Sequence, residues 1–156
     1  MARSRSPRSS RPSRPGASSG LLGLVIVDTN VLAYFLIEGD RTRLAQALYA
    51  RDPEWRSEAF LLIEFSNILA TYVRNRGIDQ EQALSLMGQA ELRVRGLVNL
   101  PNANALRIAG EFGISAYDAR FLAVARQLGG KLVTEDMKLR AAAPALTQTI
   151  EEALAD

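Results

Sequence analysis

Leu24-Val25-Ile26-Val27 runs without a polar interruption straight into Asp28, and Thr29 to Phe35 then continues as a helix-compatible stretch. Four apolar, mostly β-branched residues with no alternation suit a strand buried on both faces, which a parallel sheet covered by helices provides. Asp28 falls where that strand ends. In open parallel sheets, ligands bind outside the carboxyl ends of the strands, so a carboxylate stands where this architecture places chemistry. Thr29 or Asn30 can cap the following helix by accepting from its orphan amides. Asp28 can equally be a cap itself, and this stretch alone leaves both roles open.

The residue types that are missing narrow the chemistry. The 156-residue chain has no cysteine and no histidine. Disulfide frameworks, thiol nucleophiles, zinc–thiolate sites, serine–histidine triads and histidine acid–base chemistry are therefore excluded. Catalysis would fall to carboxylates, hydroxyls, lysine or arginine, or a metal held by oxygen. The formal charge of +2 conceals an asymmetry. Residues 1–20 carry Arg3, Arg5, Arg8, Arg11 and Arg14 and no acid, so the rest has 14 basic residues against 17 acids. That Arg/Ser/Pro-rich segment has too little apolar surface to offset its ordering entropy and is expected to be a disordered tail; residues 21–156 form one domain. Leu21 to Val27 is at the minimum length for the apolar region of a signal peptide, lacks a cleavage site and is interrupted by Asp28, so a signal peptide is not expected. No segment is long enough to span a membrane, and a cytoplasmic location is expected.

Turn and cap signals divide the remaining chain. A short helix is predicted to about Leu36, a second over Arg43–Ala50, and a turn at Pro53–Arg56 that can carry a short strand. A long apolar helix is expected over Ser57–Arg76, stopped by Gly77. Asp79 caps another, running to about Leu92; Val94–Leu100 carries a strand ended by Pro101. Helices follow at Asn104–Phe112, closed by Gly113, and at Ser115–Leu128, closed by Gly129-Gly130. Lys131–Thr134 is a strand, Asp136 precedes a short helix, and a last strand lies near Thr147–Ile150. Strands alternating with helices indicate a three-layer α/β/α sandwich around a central parallel sheet of about four to five strands.

Three further carboxylates occupy unusual positions. Glu64 is the one charge between Ala59 and Val73. At about 100° per residue it shares a narrow polar line with Ser57, Asn67 and Thr71. A plain solvated face would usually carry several charges, which favours a wet cleft. Asp118 closes Ser115-Ala116-Tyr117-Asp118, a capping-box pattern, yet it shares a face with Phe121, Leu122 and Ala125 while Arg120 and Gln127 face away. Asp136 follows Leu132-Val133-Thr134 and so repeats the arrangement at Asp28. Glu135 is expected to face the other way, into solvent. Four carboxylates at one sheet edge, with no histidine or cysteine to assist, are the donor chemistry of a hard cation such as Mg²⁺ or Mn²⁺.

Taken in order, these segments resemble PIN-domain ribonucleases, and most closely the toxin of a VapBC-type (type II) toxin–antitoxin pair. The resemblance rests on Val27-Asp28-Thr29-Asn30-Val31-Leu32, on Glu64 with Asn67, on Ser115-Ala116-Tyr117-Asp118-Ala119 with Leu122-Ala123, and on Leu132-Val133-Thr134-Glu135-Asp136 with Leu139. It covers about residues 23–150 and does not include the tail. It implies that Asp28, Glu64, Asp118 and Asp136 are both the catalytic and the metal-binding acids, with Mg²⁺ or Mn²⁺ as cofactor. Thr29, Asn30, Asn67 and Thr134 would support them. The implied activity is endonucleolytic RNA cleavage by a metal-activated water, leaving 5′-phosphate and 3′-hydroxyl ends, and as a toxin the chain would inhibit translation. The implied partners are RNA, a cognate antitoxin and a second copy of the chain in a homodimer. Arg74, Arg76 and Lys138 are candidates for RNA contact, with solvated surface as the competing role. A nuclease of RNA maturation and a non-catalytic RNA-binding or regulatory module are the alternatives. A phosphatase or receiver domain fits less well, because Asp28-Thr29-Asn30 supplies neither Asp-x-Thr nor an adjacent acidic pair.

Overall fold

The computed structural model describes residues 24–156; the expected tail at 1–20 lies outside them. Thirteen regular elements succeed one another among the described residues, together with a single 3₁₀ turn at Pro144–Leu146. They are β1 (Ile26–Val27), α1 (Thr29–Leu36), α2 (Thr42–Arg51), β2 (Arg56–Glu58), α3 (Phe60–Arg74), α4 (Gln80–Arg93) and β3 (Gly96–Val98). After them come α5 (Asn102–Phe112), α6 (Ala116–Leu128), β4 (Leu132–Val133), α7 (Met137–Ala142), β5 (Thr147–Gln148) and α8 (Ile150–Ala155). The five strands form one sheet in the order β3-β2-β1-β4-β5, and every pairing is parallel. The expected α/β sandwich with a central parallel sheet is the fold observed.

β1 lies at the centre because its residues suit no other place: Ile26 and Val27 are wholly buried, as are Leu132 and Val133 of the neighbouring β4. From β1 the chain winds outward through β2 and β3, then returns to build β4 and β5 on the other side. The winding reverses between β1 and β4, so their carboxyl ends flank the crevice where such folds bind ligands. The Asp28 N–H donates to the Val133 carbonyl at 3.3 Å, carrying the β1–β4 pairing to the strand exit. Helix α6 packs on β1, β2 and β4, and α5 packs on α6; α1, α2, α3 and α4 pack among themselves. Gly113 and Gly129 end α5 and α6 in the left-handed conformation, φ 66° and 70°, which glycine adopts without a Cβ clash.

One expected boundary is wrong in an informative way. Ser57 does not open the long helix; it lies in β2, and α3 starts at Phe60. Ser57 is fully buried and its hydroxyl donates to the Val27 carbonyl at 2.7 Å, a bond across the sheet that no helix-periodicity argument registers. The polar line on α3 therefore loses Ser57. At the C-terminus, Thr149 and Glu152 form a capping box, so the segment turns helical at Ile150 directly after β5.

Candidate functional site

Asp28 stands one residue beyond β1 and Asp136 three beyond β4, and both cap the helix that follows. The Asp28 Oδ1 accepts from the Val31 N–H at 3.0 Å; the Asp136 Oδ1 accepts from the Lys138 and Leu139 N–H groups at 2.9 and 3.0 Å. The helix starts hold both carboxylates at the sheet edge, and the Val31 N–H acts to lower the pKa of Asp28. Capping leaves lone pairs free for a further partner, since each carboxylate oxygen offers two. Thr134 links the two acids. Its hydroxyl donates to the Asp28 Oδ2 and accepts from the Asp136 N–H at 3.1 Å. The Thr29 hydroxyl does the same service for the third acid, donating to the Glu64 Oε1 at 2.7 Å across 35 residues of sequence.

Asp118 enters from the first turn of α6. The Ser115 hydroxyl accepts from the Asp118 N–H at 3.1 Å and caps the helix, but the reciprocal bond that closes a capping box is not made. The carboxylate is left for the cleft. Asp28, Glu64, Asp118 and Asp136 line one cavity of about 520 Å³, together with Thr29, Asn30 and Asn67. Its remaining wall is apolar: Phe60, Ile63, Ile68, Tyr117, Phe121 and Leu139. Among the described residues, no lysine or arginine lines this cavity.

The electrostatics follow from that geometry. Asp28 is 6% exposed, and burial pushes its carboxyl from 3.8 up to about 6. The Thr134 hydroxyl and the Val31 N–H pull it down, while the charges of Asp136 and Glu64 push it further up. Glu64 is raised by burial, against the Thr29 hydroxyl and with the Asp118 charge. Asp118 is raised by burial, against the Ser115 hydroxyl and with the Asp136 charge. The acids thus sense one another in neighbouring pairs, though desolvation outweighs mutual repulsion at each of the three.

The donors fit a hard divalent cation in type, all being oxygen. They do not form a closed cage: among the described residues, no three carboxylates converge tightly enough to enclose an ion together. That openness suits Mg²⁺, which keeps several waters and needs one or two carboxylates plus substrate phosphate oxygens.

Arg74, Arg76 and Lys138 are exposed, and none lines the cavity. Arg74 reaches back along α3 to donate to the Thr71 hydroxyl at 3.1 Å. Glu135 is not the solvated residue the sequence suggests. It pairs with Arg41 at 3.2 Å and accepts from the Ile150 N–H at 2.9 Å, tying α8 to the sheet. Two features escaped the sequence reading. One is the ion pair of buried Glu58 with half-buried Arg120, 3.2 Å apart, in which Glu58 also accepts from the Phe60 and Leu100 N–H groups. The other is the aromatic part of the cavity wall, Phe60 and Tyr117. A signal for the second was present in Tyr117, an aromatic directly before a cleft acid.

A doubly wound parallel sheet with four acids gathered at its switch point defines an α/β protein of the acidic-cleft class. The PIN domain family model matches residues 25–144, and the chain belongs to the PIN domain family. It is similar to Ribonuclease VapC3 of Pyrobaculum aerophilum, with 24% identity over 127 residues covering 78% of this chain and 96% of the relative. In fold it is similar to the crystal structure of PAE2754 from Pyrobaculum aerophilum. There the TM-score is 0.70 and the identity 22%, and the match covers 87% of this chain and 96% of the other. Among the described residues, no helix is long and apolar enough to cross a membrane.

Proposed function

We propose that this chain is a divalent-metal-dependent endoribonuclease acting as the toxin of a toxin–antitoxin pair. The observation that carries the reading is the convergence of Asp28, Glu64, Asp118 and Asp136 on one cavity that, among the described residues, no basic side chain lines. Such a cluster is self-repelling and calls for a cation. Family membership and the relative named Ribonuclease VapC3 support the nuclease assignment, and that name supports a toxin with a cognate antitoxin. The four acids would hold Mg²⁺ or Mn²⁺. When bound, that ion supplies a water of lowered pKa and neutralises charge on the phosphodiester.

The chain's own groups have definable tasks. Thr134 fixes the Asp28 carboxylate and the Asp136 backbone relative to each other, and Thr29 fixes Glu64. Asn30 and Asn67 face the cavity as neutral hydrogen-bonding groups for ribose or phosphate oxygens. Burial holds the metal-free Asp28 carboxyl at about 6, so protons compete with the cation for it on the acid side of neutrality. Arg74, Arg76 and Lys138, outside the cavity, would serve the strand beyond the cleavage point through its phosphates. The domain spans residues 21–156 and works on RNA in the cytoplasm, as a homodimer that its antitoxin restrains.

The test is cleavage of single-stranded RNA by purified protein with Mg²⁺, with chelator, and by Asp28→Asn. Mg²⁺-dependent cleavage leaving 5′-phosphate and 3′-hydroxyl ends, lost in the variant, is expected. Ends carrying a 2′,3′-cyclic phosphate, or undiminished cleavage in chelator, would overturn the reading.

A further inference from the structure

The cavity has two unlike sides, the acids facing an apolar wall on which one ring is conspicuously bare. Tyr117 is 61% exposed, and Ile63 beside it in the cavity lining is equally so. The Tyr117 ring stacks on Phe60 with centroids 5.3 Å apart and an interplanar angle of 13°. With Phe60 covering one face and most of the residue open, the other face of the ring is presented to solvent. The shelf beneath is held firmly. The Phe60 N–H donates to the Glu58 Oε2 at 2.6 Å, and the Arg120 guanidinium lies 5.9 Å from the Phe60 ring centroid. Arg120 in turn is pinned by Glu58, by the Leu100 carbonyl and by Asn102. A side chain already immobilised in this way loses little further freedom on binding a flat partner.

We propose that the open face of Tyr117 stacks on a nucleobase next to the cleaved phosphodiester. This rests on the nuclease reading and names a residue that positions the substrate at the same site. The occupant follows from the cavity's two sides. A nucleotide carries an anionic phosphate, which a cation can bridge to the acids, and an aromatic base within reach of the apolar wall. An apolar peptide side chain would fill the wall but leave the four carboxylates without a counterpart. In a duplex each base is already stacked on its neighbours and its face is hidden, whereas a splayed base stacks readily on an aromatic side chain. Tyr117 is one residue from Asp118, so the stacked base lies beside the acids rather than along a remote groove.

The experiment measures the affinity of single-stranded RNA for the full chain by fluorescence anisotropy in Mg²⁺, in an Asp28→Asn background that does not consume the probe. Tyr117→Ala is compared with Tyr117→Phe and Tyr117→Trp, and thermal melts confirm that each variant folds. Loss of the ring is expected to weaken binding by about five- to a hundredfold, while Phe and Trp restore it. In the otherwise native enzyme, Tyr117→Ala should raise KM for single-stranded RNA far more than it lowers kcat. The same strand annealed to its complement should be a poor substrate whether or not the ring is present. Equal affinity with and without the ring, or a Phe variant as weak as the Ala variant, overturns the proposal and leaves the shelf to a protein partner. So does duplex cleaved as well as single strand. If the native enzyme cleaves no RNA at all, it is the nuclease reading that fails, and the anisotropy series still decides whether a base stacks on Tyr117.

Discussion

Replacing Asp28 by Asn should stabilise the metal-free protein above pH 6 while abolishing cleavage. Burial holds the Asp28 carboxyl at about 6 in the folded chain, against 3.8 for an unperturbed side chain. A carboxylate raised in the folded state favours folding while protonated. That contribution is whole below pH 3.8, fades as pH climbs through the window to about 6, and is gone above it. Relative to a neutral side chain, ionised Asp28 therefore withholds about 3 kcal/mol at pH 8. Asn keeps the acceptor for the Val31 N–H but turns a donor toward the Thr134 hydroxyl, which already accepts from the Asp136 N–H. That mismatch costs about 1 kcal/mol. A net gain of about 2 kcal/mol corresponds to roughly 5 °C in melting temperature for a chain of this length. Thermal melts in chelator at pH 8 and pH 4, run beside an RNA cleavage assay, measure it. At pH 4 the gain should vanish or reverse slightly, because native Asp28 is then protonated when folded. An Asn variant less stable than the native protein at pH 8, or a gain indifferent to pH, would refute burial as the cause of the raised pKa.

Other outcomes follow from the same geometry. Mg²⁺ should raise the melting temperature of the native protein by an increment that grows between about pH 4 and pH 6, since the ion binds the ionised acids. Glu64→Gln and Asp118→Asn should each shrink that increment in paired melts; a full increment in either removes that residue from the metal site. Thr134→Val strips Asp28 of the hydroxyl that lowers its pKa, so the acid limb of the kcat/KM–pH profile should move to higher pH. Glu58→Ala leaves Arg120 and the Phe60 and Leu100 N–H groups without their carboxylate, and denaturant unfolding should show a loss of about 3–5 kcal/mol.

Local sequence was sufficient wherever a property is carried by consecutive residues. The run Leu24–Val27 suited a doubly buried strand, of which Ile26–Val27 is the part formed, and Asp28 at its end was already a carboxylate at a strand exit. Leu132–Asp136 repeated the pattern, which is why both acids could be placed on one edge. The missing histidine and cysteine left oxygen as the donor type, and the isolated charge of Glu64 within an apolar helix marked a wet face. The tertiary structure decided what depends on partners far along the chain. Ser57 is a strand residue because it bonds to Val27, and Glu58 is buried because Arg120, 62 residues away, meets it. Glu135 looked solvated until Arg41 and Ile150 closed over it. The capping-box spelling at Ser115 could not reveal that Asp118 leaves the box open toward the cleft. The crevice between β1 and β4 arises from a pairing between residues about a hundred positions apart. Desolvation, the main cause of the raised pKa of Asp28, likewise belongs to no residue in the sequence. It appears only when the sheet and helices have excluded water from the site.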